Sequence, residues 1–301
     1  MSSRGIAMYV SLRAGRIANP SCFEAGRQAA LGQGVMGEAS LRYFKLTVAY
    51  DGTAYGGWQI QANAPTVQAE LERALAAVTG ERIRALASSR TDAGVHALGQ
   101  VVSFASHTRL EPNVLTRALN ANLPRDIVVL DACEAPRGFH ATRDAVRKRY
   151  RYIIQDGPTR DVIARRYTWH VPVRLDVERM RAAASLLVGT YDFSSFEASG
   201  SKRATSVRTV TDIRIERQPG DHLERVVLEI EADGFLYNMV RNIVGTLVVV
   251  GRGKRPPAWV GQVLAARDRR RAGPTAPPQG LFLLHVHYEK KRRERMAPSG
   301  S

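Results

Sequence analysis

Two hydrophobic periods, alternating in a fixed order, constrain the fold of this chain more than any single residue does. Period-two stretches rich in β-formers are strand signals, and stretches with apolar residues three and four apart are helix signals. Leu41 to Tyr50, with Tyr43, Phe44, Val48 and Tyr50, predicts a strand. Thr66 opens a helix in which Val67, Leu71, Ala74, Leu75 and Val78 share one face, and Gly80 closes it. Strands are expected at Arg82 to Ser88 and Gly99 to Ala105. Pro112 then begins a helix through Val114, Leu115, Ala118 and Leu119, and Asp126 to Cys133 is a fourth strand. This is a β-α-β-β-α-β order. The second half repeats the order without a visible sequence repeat. Arg149 to Gln155 is a strand, and Asp176 caps a helix with Met180, Ala183, Ala184 and Leu187 that ends at Gly189. Strands Val207 to Arg217 and Arg225 to Ala232 join through Pro219-Gly220. A helix runs from about Phe235 to Val250, a short one from Ala258 to Ala266, and Leu281 to Tyr288 is the last strand. The expected class is α+β: two ferredoxin-like halves forming an extended, mostly antiparallel sheet with a central cleft.

The 301 residues, 44% hydrophobic and 24% charged, suffice for about two domains of ordinary size. The expected boundaries are a disordered leader 1–40, an N-terminal α+β domain 41–140, a C-terminal α+β domain 141–289 and a basic disordered tail 290–301. The Arg-rich, acid-poor leader weakly resembles a transit peptide; a plain extension, or a start codon assigned too early with Met36 as the true start, is the preferred reading. No apolar run reaches the roughly 18 residues a membrane span needs, and Asn238 to Val250 is interrupted by Arg241 and Asn242. The two cysteines, Cys22 and Cys133, have no Cys or His neighbour at ligand spacing. No metal site and no disulfide framework are expected, and a reducing cytoplasm fits. The net charge is +16. Without the leader and the last thirteen residues, 35 basic and 24 acidic residues remain, so the core is basic in its own right. A polyanionic partner, RNA or DNA first, follows.

The stretch Arg90-Thr91-Asp92-Ala93-Gly94-Val95-His96 sets a carboxylate in a tight loop between two expected strands. An Asp in a turn usually caps its own backbone. A catalytic carboxylate instead needs a cation to keep it ionised while partly buried. Arg90 is near in sequence. Arg241 is the second candidate, because it interrupts an apolar face formed by Phe235, Met239, Ile243, Val244 and Leu247. The plain alternative for Arg241 is a structural ion pair or a snorkelling side chain. Tyr150 and Tyr152 share one strand face. A tyrosine facing a cleft can stack on a base or relay a proton, whereas core filling is the preferred reading for Tyr152. The interleaved Arg147, Lys148, Arg149 and Arg151 suit phosphates. Gly251-Arg252-Gly253-Lys254-Arg255 follows a helix rather than preceding one, so it reads as a helix end and a basic loop. No dinucleotide fingerprint, nucleophile elbow or RRM-type aromatic motif is present, and His96 and His140 lack a ligand partner at useful spacing.

Several stretches together resemble the TruA family of tRNA pseudouridine synthases. They are Tyr50-Asp51-Gly52-Thr53 with Gly57-Trp58-Gln59, Arg90 to His96, Asn120-Ala121-Asn122-Leu123-Pro124, Phe139-His140-Ala141, Arg149-Tyr150-Arg151-Tyr152, the run Gly234 to Gly245, and Gly280-Leu281. They occur in family order across roughly 42–289. The resemblance implies a pseudouridine synthase fold and conversion of uridine to pseudouridine at positions 38, 39 and 40 of the tRNA anticodon stem-loop. It also implies a homodimer with no cofactor and no metal, and neither membrane nor DNA as partner. Carried over residue by residue, it implies Asp92 as the catalytic aspartate, Tyr150 against the target base and Arg241 paired with Asp92. It implies Arg90 on the flipped-out nucleotide, Leu281 lining the base pocket and Arg208 on the substrate. Thr142, Asp144 and Ser206 depart from the residues usual in the family and bear on RNA positioning.

Two other classes share the same surface features. A non-catalytic RNA-binding module needs basic and aromatic surface but no buried Asp–Arg pair, so convergence of Asp92, Tyr150 and Arg241 on one pocket separates the two. A metal-dependent nuclease needs clustered carboxylates, and Asp51 with Asp92 is the only obvious pair; Asp51 reads better as a turn residue before Gly52.

Overall fold

The computed structural model describes residues 40–198, 205–220 and 223–289. The expected leader through residue 39, with Cys22, and the basic tail from residue 290 lie outside them. The first unit contains β1 (Arg42–Tyr50), α1 (Val67–Thr79), β2 (Leu86–Ala87), β3 (His96–Ser106), α2 (Pro112–Asn122) and β4 (Ile127–Glu134). The second contains β5 (Ala145–Asp156), β6 (Trp169–Val171), α3 (Val177–Ala184), β7 (Gly189–Asp192), β8 (Val207–Gln218), β9 (Arg225–Ala232), α4 (Met239–Gly251), α5 (Trp259–Ala266) and β10 (Leu281–Tyr288). Among the described residues no helix is long and apolar enough to cross a membrane.

Chain-local chemistry sets the helix ends. Thr66 Oγ1 accepts from the Ala69 amide at 3.4 Å, and Gly80 closes α1 in the left-handed region at φ 75°. Asp176 Oδ1 accepts from the Arg179 amide at 3.0 Å and starts α3. Helix α4 begins at Met239 rather than near Phe235, because Asn238 sits at φ 59° and interrupts the right-handed path. Strands β6 and β7 were not expected from the sequence; at three and four residues they are too short for a periodic signal.

One sheet carries both units, in the order β4-β1-β3-β10-β5-β9-β8-β7, with β2 beside β3 and β6 beside β5. Within each unit the fourth strand lies beside the first and the first beside the third, which is the ferredoxin-like arrangement. The units meet where β10 pairs parallel with β3, Phe282 opposite His96 and Leu283 opposite Ala97. The segment expected as a strand from Arg82 to Ser88 pairs with β3 only at Leu86 and Ala87. Side chains of α1 satisfy its backbone instead: Ala85 N donates to Glu72 Oε1 at 3.0 Å, and Gln68 Nε2 donates to Ala85 O at 3.2 Å. β2 and β10 share one edge of β3, β2 at Val102 and Ser103 and β10 at His96 and Ala97, and the Asp92 loop connects β2 to the start of β3 between them. A single apolar cluster joins the units, from Phe44, Leu46, Leu71 and Leu119 to Tyr152, Met180, Leu228 and Leu247. Each such side chain contributes roughly 1.5–3 kcal/mol.

Asp51 fastens the junction. It accepts from Thr53 N at 2.9 Å and from the Tyr167 hydroxyl at 2.7 Å, and its Oδ1 lies 3.1 Å from His96 Nδ1. His96 Nε2 lies 3.0 Å from Arg166 O, and its ring stacks on Phe282 at 4.7 Å. Burial works against the charged carboxylate, but hydrogen bonds from His96, Thr53 and Tyr167 outweigh it and hold Asp51 well below the usual range. A depressed folded-state pKa means that this stabilisation is complete above the ordinary carboxylate pKa and is lost as pH falls below it. Asp51→Asn is therefore expected to destabilise the fold by about 1–3 kcal/mol at neutral pH. The gap from wild type should narrow below about pH 4. Urea unfolding at both pH values measures this, and a pH-independent gap would contradict it.

Candidate active site

The loop that carries Asp92 is clamped from both sides. Below it, the buried Gln100 of β3 donates through Nε2 to Ser89 O at 2.7 Å and accepts from Ser88 Oγ at 2.7 Å. The Tyr50 hydroxyl lies 2.7 Å from Thr91 Oγ1. Above it, Trp58 N donates to Thr91 O at 3.0 Å and Gly94 N to Tyr55 O at 3.3 Å. Gly57 makes this approach possible. It adopts φ 101°, and a Cβ there would lie 2.6 Å from Thr91 O. Within the loop Val95 N donates to Asp92 O at 3.1 Å. A segment with this many fixed backbone groups holds its carboxylate in one place.

Arg241 reaches that carboxylate from the first turn of α4. Its Nη1 donates to Asp92 Oδ2 at 3.0 Å, and the side chains are 15% and 24% exposed. The same nitrogen donates to Asn238 Oδ1 at 2.8 Å, and Nε donates to Ala276 O at 2.7 Å. Asn238 is thus freed from capping the helix and used to aim the guanidinium. Arg90 does not take part: it is exposed on the rim and forms no ion pair among the described residues.

Asp92, Tyr150 and Arg241 line one open cleft of about 1220 Å³. Arg90, Arg208, Lys148, Phe235, Tyr237 and Leu281 line it too. Tyr150 meets Phe235 edge-on, ring centroids 5.0 Å apart. Burial pushes its hydroxyl pKa up to about 12, with the Asp92 charge adding to the rise and a Ser89 hydrogen bond opposing it. Tyr150 is therefore a neutral phenol at physiological pH. Tyr152, two residues on, is core: it is fully buried and its hydroxyl donates to Pro277 O at 2.7 Å.

The other cations of that strand do not all serve the cleft. Arg149 donates to Asp212, Glu229 and Glu231 at 2.9, 3.3 and 3.2 Å, and Arg151 to Glu229 at 2.9 Å. Period two sends them to the opposite face, so the expectation that they meet phosphates is corrected; Lys148 alone of the four lines the cleft. Residues 141–143 form a turn. Thr142 lines the cleft and donates from Oγ1 to Ala87 O at 2.7 Å. Asp144 Oδ2 accepts from His140 N at 2.8 Å and closes the turn, and Ser206 Oγ donates to Glu197 at 2.6 Å. Asp51 lies outside the cleft lining and caps the turn at Gly52–Ala54. It offers no second carboxylate for a metal-dependent nuclease. Sequence reasoning assigned no role to Gln100, Asn238 or Ala276, whose parts depend on long-range contacts and, at Ala276, on main-chain atoms alone.

A sequence model for the family described as tRNA pseudouridine synthase matches residues 46–143 and 183–289. A tRNA pseudouridine synthase A of Thermoanaerobacter sp. (strain X514) is 48% identical over 248 residues, which is 82% of this chain and all of that protein. The chain belongs to the tRNA pseudouridine synthase family. Synthases of Acetivibrio thermocellus, 48% identical over 82% of this chain and 100% of theirs, and of Myxococcus xanthus, 46% identical over 81% and 91%, are similarly close. The family match places Asp92 and Arg90 in its first stretch and Arg208, Arg241 and Leu281 in its second, with Tyr150 between the two. Gly57 also lies within the match. In this synthase Gly57→Ala is expected to displace the Asp92 loop and to cost about 1–3 kcal/mol of stability. Turnover should fall more than RNA affinity does. Unchanged turnover would show that the loop does not need this contact.

Proposed function

We propose that this protein isomerises uridine to pseudouridine in tRNA, at positions 38, 39 and 40 of the anticodon stem-loop, with Asp92 as the essential carboxylate. The observation that carries the proposal is the convergence of Asp92, Arg241 and Tyr150 on one basic cleft, with the Asp–Arg pair at 3.0 Å. A module that only bound RNA would have no use for a fixed, partly buried ion pair aimed into its groove. The reaction breaks the N1–C1′ bond, turns the uracil and joins C5 to C1′. One proton leaves C5 and one is taken up at N1, so substrate and product are isomers and no redox partner is consumed. Attack of the aspartate on the sugar and removal of a sugar proton by it both require the ionised form.

The target base must leave its stack to reach Asp92. Tyr150 and Leu281 border the space beside the carboxylate and would hold the uracil between a neutral phenol and an apolar wall. Arg90 on the rim would hold the phosphate of the extruded nucleotide, with Arg208 and Lys148 along the same groove. The two α+β units would act as separate domains, 41–140 and 141–289, that place their parts of the site from opposite sides. A homodimer working in the cytoplasm belongs to the same proposal. Light scattering should return twice the chain mass, and cell fractionation should recover the enzyme with soluble tRNA. A monomer at working concentration would remove the dimer from the proposal.

Unmodified tRNA transcript carrying tritium at uridine C5 tests the reaction. Wild type is expected to release tritium. Asp92→Ala is expected to release none while keeping its fold and most of its RNA affinity. Release by neither, with tight binding retained, would leave an RNA-binding module; unfolding of Asp92→Ala would make Asp92 structural.

A further inference from the structure

The segment 273–278, between α5 and β10, touches Arg241 and the loop that carries Asp92. On one side, Ala276 exchanges two bonds with Arg241: its carbonyl accepts from Arg241 Nε at 2.7 Å and its amide donates to Arg241 O at 3.1 Å. On the other, Pro278 packs against Gly94, two residues beyond Asp92; a Cβ on Gly94 would lie 3.1 Å from Pro278 Cγ. Pro277 O also accepts the Tyr152 hydroxyl, on the strand that carries Tyr150. Where this segment sits therefore decides where the guanidinium and the carboxylate meet.

Its place against α4 is set by a compact polar lock. Arg269 Nη1 donates to Gly273 O at 2.9 Å, and Nη2 donates to Asn242 Oδ1 at 2.9 Å and to Thr275 Oγ1 at 3.0 Å. Thr275 Oγ1 donates to Asn242 Oδ1 at 2.7 Å, while Asn242, fully buried, donates through Nδ2 to Phe196 O at 2.8 Å. Gly273 N donates to Thr246 Oγ1 at 2.9 Å. Glycines permit the close approach, since a Cβ at Gly245 would lie 1.7 Å from Pro274 O. The planar fork of an arginine fits three oxygens at fixed angles in a way that a lysine cannot. Arg269 forms no ion pair among the described residues; its charge is spent on carbonyl, amide and hydroxyl oxygens.

We propose that Arg269 and Thr275 are positioning residues for the Asp92–Arg241 pair, acting through the backbone of 273–278. The inference rests on the proposed reaction for its kinetic readout alone. Arg269 and Thr275 do not line the cleft, so their loss should leave RNA affinity in place. Thr275 is exposed, so Thr275→Val removes the hydroxyl with little risk to folding, and Thr275→Ser keeps it.

The test measures single-turnover tritium release and RNA affinity for Thr275→Val, Thr275→Ser and Arg269→Lys, alone and with Arg241→Lys. Thr275→Val and Arg269→Lys are expected to slow the chemical step by about tenfold with affinity within about twofold. Thr275→Ser is expected to restore the rate. With Arg241→Lys the effect of Thr275→Val should vanish, because a lock that works through Arg241 has nothing left to aim. Losses that multiply in the double variant, or that show only as weaker RNA binding, would overturn the proposal. An activity-independent arm follows the Arg241 Nε–H in protein labelled with 15N-arginine. Slow solvent exchange in wild type and fast exchange in Thr275→Val are expected, and equal exchange would overturn the proposal even if wild type released no tritium. A wild type without tritium release but with the expected exchange difference would count against the reaction and not against the positioning.

Discussion

One ion pair joins the two halves of this molecule where chemistry is possible. Asp92 comes from the first β-α-β-β-α-β unit and Arg241 from the second, and they meet at 3.0 Å beside the parallel β3–β10 junction. Breaking a fully buried pair by removing one partner costs roughly 3–5 kcal/mol. Water reaches both groups here, and Arg241 keeps two other acceptors in Asn238 and Ala276, so the penalty is smaller. The pair is thus fixed in one geometry by its hydrogen bonds while remaining open to the cleft.

The junction follows from how one edge of β3 is shared. β2 takes Val102 and Ser103 while β10 takes His96 and Ala97, so the two lie on the same edge without competing. Glu72 and Gln68 on α1 satisfy the backbone at Ala85, ahead of β2. The unit stays ferredoxin-like, and the start of its third strand is the part left to the second unit. The second unit docks there, and the loop between β2 and β3 is directed into the resulting cleft.

The element order, the helix caps at Thr66 and Asp176 and the apolar faces were legible because each depends on residues near in sequence. Asp92 was legible as a carboxylate in a tight loop and Arg241 as a cation on an apolar face, but that Arg241 rather than Arg90 is its partner came only from the family resemblance. The shortness of β2 was hidden because Ile83 and Ala85 are buried at period two whether the partner is a strand or a helix side chain. The clamp from Gln100 was equally hidden, since a buried glutamine in a strand has no local signature. Asn238 could not be read as an aiming residue, because its left-handed backbone is set by tertiary contacts.

Charge gives the same lesson at larger scale. A basic core predicts a polyanion, but strand periodicity decides which cations remain for it. On β5, Arg149 and Arg151 face away from the cleft and are consumed by Asp212, Glu229 and Glu231. Lys148, on the alternate face with Tyr150, reaches the cleft, as do Arg90 and Arg208 from other segments. The surplus of positive charge therefore overstates the electrostatic surface presented to RNA along this strand. What the cleft offers is a small number of cations, Arg90, Lys148, Arg208 and Arg241, spaced around one carboxylate.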